Sequence, residues 1–446
     1  MKLFESGIRS LWIVQSYLKA RHLQKKLCRM TRTELKQYQQ RKLERFTCKV
    51  LVKSPYFKAF AALPFEQWPL MDKQLMMAEF DRMNTEGLHG AELMAGALHS
   101  EQTRDSLPAN KDFCAGLSSG TSGRRGMFVT SRRERACWAG TALAKLLPGR
   151  LLGNERIALF LRADNQLYQD INSKTINLRF FDLFSSFDRL CRDLEYYAPT
   201  VIVAPAQVLR ELALKRRNSG LKISPMLVVS AAEVLGPQDR MLLEQSFEHL
   251  AEIYQATEGF LGATCAHGRM HLNEEYLLVE PQWLDGERFI PVITDFTRRT
   301  QPIIRYRLDD VLAVDARPCP CGSAAMAIKH IEGRCDDQLL LPGKTQDAGE
   351  SVTIFADVCH RALALALPLE CDYRLVQSDG AEGPLLTLWA NAPEEALHAC
   401  REHLSSLFRQ QGAAVEHLCW QLNRQPPAVS FQHKRRRIMR ESAAIR

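Results

Sequence analysis

The chain has 446 residues, 46% hydrophobic and 25% charged, so it can bury a large core and is two or three times one domain in length. Its net charge of +8 permits acidic partners such as nucleotides, carrier proteins or membrane surfaces and requires none of them. The composition excludes a disordered or low-complexity chain, and no run approaches the roughly 20 apolar residues of a membrane span.

Residues 1–50 read as a basic helical extension. The apolar stretch at its start carries Glu5 and Arg9 and lacks a small-residue cleavage site, so it does not read as a secretory leader. A packed or exposed structural helix is expected there, with a helix lying on a membrane surface as the alternative. The 13 cysteines are odd in number and scattered, with only Cys319 and Cys321 close together. That usage predicts a reducing, cytoplasmic setting.

From about residue 100, ERIALFLRAD, PTVIVAPA, SPMLVVSAAE and LAEIYQAT each read as a buried strand running into a loop. The helical patterns PAQVLRELALKRR and PQDRMLLEQSFEHL lie between or beside them. This alternation predicts an α/β fold with a largely parallel sheet, in which ligands collect at strand carboxyl ends. From about 275, EYLLVEP, FIPVITDF, PIIRYRLDD and VLAVDA are short and closely spaced, the texture of an antiparallel region. After GRCDD (333–337) the chain restarts as a strand (QLLLPG), a helical run (VTIFADVCHRALALAL), strand-like CDYRLVQS and PLLTLWA, and a helix (APEEALHACREHLSSLFRQQG). The expected plan is a large α/β domain over residues 1–335, with mixed and parallel sheet flanked by helices, and a small α+β lid over residues 336–446.

SSGTSGRRG (118–126) has the chemistry of an anion loop. Its glycines allow positive φ and bring N–H groups to an anion, and Ser118, Ser119, Thr121 and Ser122 add hydroxyl donors. It sits between strand-like FCAGL and MFVTS, and a helix opens only afterwards, with Ser131 and Glu134 as a capping box. It is therefore neither a Walker A loop, which enters a helix directly, nor a G-x-G-x-x-G loop. Alone, it reads equally as a hairpin turn with a basic tip.

Other motifs sit at strand ends. In YQATEG (254–259) Tyr254 can stack on a base, Thr257 touch a phosphate and Glu258 hold a divalent cation, or the motif is an ordinary strand terminus. In RYRLDD, Asp310 can accept both hydroxyls of a ribose, or be a solvated acidic turn. In GRCDD, Arg334 offers a planar cation and Asp336 or Asp337 a pivot between domains, or the stretch is a plain linker. HKRRRIMR (433–440) is a solvated basic tail or a nonspecific nucleic-acid patch, or it presents one lysine to a site from a mobile lid. Cys265, His271 (or His267), Cys319 and Cys321, from CAHGRMH and PCPCGS, can form a tetrahedral zinc site. Four protein ligands would make it structural; the alternative is a pair of turn cysteines.

In order, SSGTSGRRG, SAAEVL (230–235), YQATEG, RYRLDD, GRCDD and a terminal lysine resemble the adenylate-forming superfamily of acyl-CoA synthetases and adenylation domains. SPYFKAF (54–60), WPLMDKQLM (68–76), PIIRYRLDD and PCPCGS resemble its phenylacetate–CoA ligase and coenzyme F390 synthetase branch. The resemblance spans about residues 50–440.

It implies that Ser118, Ser119, Gly120, Thr121, Ser122 and Gly123 grip the β- and γ-phosphates of ATP. Ala231, Ala232 and Glu233 would line adenine, with two alanines where Gly-Gly is common. Tyr254 would stack on adenine, Thr257 contact the α-phosphate and Glu258 hold Mg²⁺. Asp310 would take the ribose hydroxyls, Arg334 would bind near the nucleotide, and Asp336 would be the hinge. Two departures stand out. Arg125-Gly126 occupies the place of a common Pro-Lys pair, so the usual loop lysine is missing, as it tends to be in this branch. Near the C-terminus, KRRRI aligns Lys434 as the lid cation, whereas RIMR aligns Arg437; Lys434 is preferred.

The implied reaction joins a carboxylate to the α-phosphorus of ATP, releasing pyrophosphate and forming an acyl-adenylate. Transfer to a thiol follows, on coenzyme A or a carrier-protein phosphopantetheine. The branch favours a small aryl acid. Phe180, Phe181, Phe184 and Tyr168 would line its pocket, or pack in the core. The competing readings are an adenylating enzyme with an amine or hydroxyl acceptor, and a catalytically silent nucleotide-binding regulator. Nucleic acid is not an expected partner, because the arginines lack interleaved aromatics and no recognition motif appears. A homodimer is left open.

Overall fold

A computed structural model of the protein describes residues 2–103, 112–117, 126–147, 153–161, 172, 175–334, 338–344, 351–380, 383–425, 429–431 and 434–441. The basic extension forms two helices, α1 (Lys2–Leu27) and α2 (Arg32–Lys49). Ile13, Tyr17 and Ala20 of α1 pack on Ala136, Ala139, Leu143 and Ala144 of the helix Arg132–Leu146. The crossing is close because Gly140 has no side chain: a Cβ there would lie 2.2 Å from the Ile13 carbonyl oxygen. The extension is thus a packed helix, and among the described residues no helix is long and apolar enough to cross a membrane. Thr31 and Glu34 cap α2 reciprocally, and Leu35, Gln39, Leu43 and Phe46 form its buried face at helical spacing.

β1 (Phe113–Leu117) and β2 (Met127–Ser131) form an antiparallel pair whose register ends at Leu117 and Met127, on either side of the Gly/Ser loop. The helix Arg132–Leu146 then opens on the Ser131–Glu134 capping box expected from sequence.

The main sheet has 12 strands. Its parallel part is β3 (Glu155–Leu161), β4 (Ile176–Asp182), β5 (Val201–Ala204), β6 (Leu227–Ser230) and β7 (Leu250–Gln255), in the order β4-β3-β5-β6-β7. Four of these are the strands read from sequence; β4 is an addition. Its Phe181 is buried and stacks on Phe160 at 4.8 Å, so this ring belongs to the core and not to a substrate pocket.

The rest is antiparallel, as the sequence texture suggested. β8 (Phe260–Thr264) follows β7, then β9 (Met270–Leu272), and β14 (Ala327–Arg334) joins β9 to β13 (Asp310–Val314). β11 (Arg288–Asp295) pairs with β13, with β10 (Leu277–Trp283) and with β12 (Ile303–Arg307).

Beyond Arg334 the strands belong to a separate core. β15 (Leu339–Pro342) pairs with β16 (Ser351–Ile354), and a four-stranded sheet has the order β19-β18-β17-β20. These are β17 (Tyr373–Gly380), β18 (Gly383–Ala390), β19 (Cys419–Asn423) and β20 (Ile438–Arg440). The helices Ala356–Ala364 and Glu394–Gln410 cover it. One expectation is corrected. Residues 351–354 are strand, not the start of a helix, because Val352, Thr353 and Ile354 are β-branched and pair across to Leu341, Leu340 and Leu339.

Candidate active site and metal centre

β6 and β7 are neighbouring parallel strands, so their following loops open at the same sheet edge. After β6, Ala231 donates its N–H to the Ala204 carbonyl (3.0 Å), and Ala232 stands at φ +65°. That left-handed backbone explains why glycine suits the place and why alanine strains it. Glu233 accepts the Gln207 N–H (3.2 Å) at the start of the helix Ala206–Ser219, which has no side-chain cap from Pro205.

After β7, Tyr254 is buried and donates its hydroxyl to Asp310 Oδ2 at 2.5 Å. Asp310 opens β13 and pairs in register with Arg334, the last residue of β14. Three motifs, from YQATEG, RYRLDD and GRCDD, therefore meet. The Thr257 carbonyl accepts from buried Arg298 at 3.2 Å. Burial holds the Glu258 carboxyl above its usual range, and the Asp310 charge adds to this. The Tyr306 hydroxyl and Lys73 oppose both. Lys73 is brought in by its neighbour Met71, which bridges the strand around Tyr306: Met71 N–H donates to the Arg305 carbonyl (2.9 Å) and Arg307 N–H to the Met71 carbonyl (2.8 Å).

Gly259 is required by contact, since a Cβ there would lie 2.5 Å from Asp295 Oδ2. Asp295 is buried, and burial pushes its carboxyl up to about 6 although the Thr297 N–H (2.7 Å) and hydroxyl (2.6 Å) both donate to it. Asp295, Tyr306, Lys73 and Arg298 were not singled out in sequence. Lys73, Asp295 and Tyr306 lie inside ordinary helix or strand patterns and Arg298 in the loop after β11, and each reaches the site only through tertiary pairing.

Ser118, Ser119, Gly120, Thr121, Ser122, Gly123 and Asp336 lie outside the described residues. Lys434 lies on the small domain in the segment leading into β20. Arg437 is buried in that domain's contact with the large one: Nη2 donates to Asp239 Oδ1 (3.0 Å) and to Asp372 Oδ1 (2.6 Å), and the guanidinium sits 4.6 Å from the Tyr373 ring centre.

Cys265, His271, Cys319 and Cys321 place their ligand atoms within 4.8 Å of one another. Cys265 and Cys319 Sγ are 3.7 Å apart, and Cys321 Sγ is 3.5 Å from His271 Nε2. A tetrahedral ion with bonds of about 2.3 Å to sulfur and about 2.0 Å to nitrogen spaces such atoms by ~3.8 Å and ~3.5 Å, so the set fits zinc. His271 Nδ1 faces the Ala325 carbonyl at 3.0 Å; a carbonyl only accepts, so Nδ1 carries the proton and Nε2 keeps its lone pair. His267 supplies a backbone N–H to Cys265 Sγ (3.4 Å), so of the two histidines His271 is the ligand candidate. β8 runs from the Glu258 turn to Cys265, which puts the cluster at the far end of the strand, about 20 Å away at ~3.4 Å per residue. The loop of Cys319 and Cys321 holds the α1–α2 turn, through Ala324 N–H to the Leu27 carbonyl (3.0 Å) and Arg32 to the Ala324 carbonyl (3.3 Å), and Arg32 also pairs with Glu274 in the turn after β9.

Sequence comparison finds no matching family model and no matching curated protein. Comparison of folds does find likenesses. A 2-hydroxyisobutyryl-CoA ligase, in the postadenylation state in complex with R3-HIB-AMP, aligns with a TM-score of 0.64 at 15% identity, over 91% of this chain and 88% of that one. An acyl acid amido synthetase in complex with 2,4-DB aligns with a TM-score of 0.54 at 12% identity, over 91% and 89%. An anthranilate CoA ligase in complex with anthranoyl-AMP aligns with a TM-score of 0.50 at 14% identity, over 71% and 64%. The protein has the fold of the adenylate-forming ligases.

Proposed function

We propose that the protein is an ATP-dependent carboxylate ligase, which forms an acyl-adenylate with release of pyrophosphate and passes the acyl group to the thiol of coenzyme A or a phosphopantetheine. The observation that carries the reading is the Tyr254–Asp310 hydrogen bond beside Glu258, which joins motifs 56 residues apart at one sheet edge. In this reading the Tyr254 ring faces adenine, Asp310 receives the ribose hydroxyls, and Thr257 meets the α-phosphate. Ser118 to Gly123 hold the terminal phosphates, and Ala231, Ala232 and Glu233 wall the base. Arg334 lies near the nucleotide, Asp336 is the hinge, and Lys434 is the lid cation.

Glu258 would hold Mg²⁺. A carboxylate disfavoured by burial and by a second carboxylate gains from a divalent cation, which supplies charge neutralisation for the phosphates. The substrate carboxylate needs no general base, since it is ionised at neutral pH. This chain's work is to hold two reactants in line and to stabilise developing charge. Cys265, His271, Cys319 and Cys321 would hold a structural zinc.

The test is carboxylate-dependent exchange of labelled pyrophosphate into ATP with a panel of aryl and fatty acids, on wild type and on Lys434→Ala. Exchange that depends on one acid class and is lost in Lys434→Ala supports the reading; no exchange with any acid removes it. The likeness to an amido synthetase favours one second reading, an amine as acceptor. Supplying coenzyme A and amines in parallel after adenylation separates the two.

A further inference from the structure

Asp239 lies in the first turn of the helix Pro237–Ser246 and is wholly buried. Three guanidiniums surround it. Arg210, also wholly buried, comes from the neighbouring large-domain helix and donates to Oδ1 at 2.8 Å. Arg435 pairs with Oδ2 and Arg437 with Oδ1 (3.0 Å), both from the small domain. The same two arginines hold Asp372, at 3.2 Å and 2.6 Å. Backbone contacts extend the junction. Arg210 donates to the Glu370 carbonyl (2.6 Å) and Gln238 to the Pro368 carbonyl (2.6 Å).

The spacing of the two small-domain arginines matters. Arg435 and Arg437 both turn to Asp239, so the backbone on either side of Arg436, and with it the residue next to Arg435, Lys434, is held against the large domain. A buried carboxylate is tolerable only while its cationic partners stay in place. Asp239 therefore disfavours any arrangement in which this segment leaves the large domain.

We infer that Asp239 is a positioning residue: through Arg435 and Arg437 it seats the segment that carries Lys434 on the large domain and sets where the lid cation stands during adenylation. This rests on the adenylation reading above. It also assigns Arg437 to the seat, which leaves Lys434 as the cation offered to the reacting phosphate. In the adenylation reading that cation serves the attack at the α-phosphorus, a step that transfer from a preformed adenylate does not include, so the two half-reactions should respond differently.

The experiment compares full-length wild type, Asp239→Asn and Arg435→Gln, first by amide hydrogen exchange without substrates. Faster exchange in the Ile438–Arg440 and Pro237–Ser246 segments of both variants supports the seat; exchange unchanged in both overturns it. Activity is then split, using benzoate, phenylacetate and hexanoate and their synthetic adenylates. Pyrophosphate exchange should fall at least about tenfold with KM for ATP within about twofold, the mark of a contact used in the transition state. Transfer from added adenylate to coenzyme A should stay within about threefold of wild type. Equal losses in both half-reactions overturn the positioning role. Should Asp239→Asn not fold, Arg435→Gln carries both readouts with the same outcomes. If wild type exchanges with no acid, the adenylation reading falls, and amide exchange alone decides the seat.

Discussion

Tyr254 donates a hydroxyl hydrogen bond to Asp310 at 2.5 Å, so the residue proposed to face the base and the residue proposed to take the sugar are held to each other. Tyr254→Phe keeps the ring and loses only the donor, and should leave KM for ATP within about twofold in pyrophosphate exchange. Asp310→Ala removes the acceptor and should raise KM for ATP roughly 10- to 100-fold, as charged hydrogen bonds of about 1.5–3 kcal/mol imply. Equal effects from the two substitutions would show the pair acting only as a brace.

Asp295 should leave a signature in stability against pH. Burial raises its folded pKa from 3.8 to about 6, so the folded state binds the extra proton between those values. The stabilisation is fully present below the unfolded pKa and is lost as pH rises through about 6. A shift of about two units is worth about 3 kcal/mol. Urea unfolding of wild type and Asp295→Asn from pH 4 to 7 should therefore show wild type losing about that much relative to the variant. A constant difference would place the carboxyl at its ordinary pKa.

Ala232 occupies a left-handed backbone where a side chain is strained. Ala232→Gly should raise stability by about 0.5–1 kcal/mol, the strain relieved less the entropy that glycine adds. Ala232→Val should lower it, since β-branched residues tolerate this region worst. Thermal or urea unfolding checks both signs.

Metal analysis of protein purified without added metal should find about one zinc per chain, bound by Cys265, His271, Cys319 and Cys321. Chelation or Cys319→Ser should lower the unfolding temperature and speed proteolysis near the α1–α2 turn, which hangs on the same loop. Pyrophosphate exchange per folded molecule, at a temperature where both forms are folded, should stay within about twofold, because the cluster lies at the far end of β8.

The parallel strands were legible because β3, β5 and β6 hold unbroken apolar runs and β7 an apolar run interrupted only by Glu252. The antiparallel region was legible from its spacing. β4 was not: INLRFFD carries Asn177 and Arg179 within its span, and this weakens the apolar signal. β20 is three residues long, too short for any pattern. Tyr254, Glu258 and Asp310 stood out because they lie at strand boundaries: near the end of β7, in the turn beyond it, and at the start of β13. Asp239 did not, since an acid in the first turn of an amphipathic helix is an ordinary helix-end residue. Its partners Arg435 and Arg437 lie 196 and 198 residues further on, and nothing local announces them.

The seat at Asp239 also limits how freely the two parts of this chain can be exchanged with those of other chains of this fold. A chimera that places a foreign lid on this large domain leaves an acid and Arg210 buried at the joint. Unless the graft brings arginines to positions 435 and 437, that acid loses two of its three cations. The reciprocal graft, this lid on a foreign body, buries two arginines against whatever faces them there. Compatibility between the halves is thus written in one carboxylate and two arginines, and a hybrid that respects this match should assemble where one that lacks it fails.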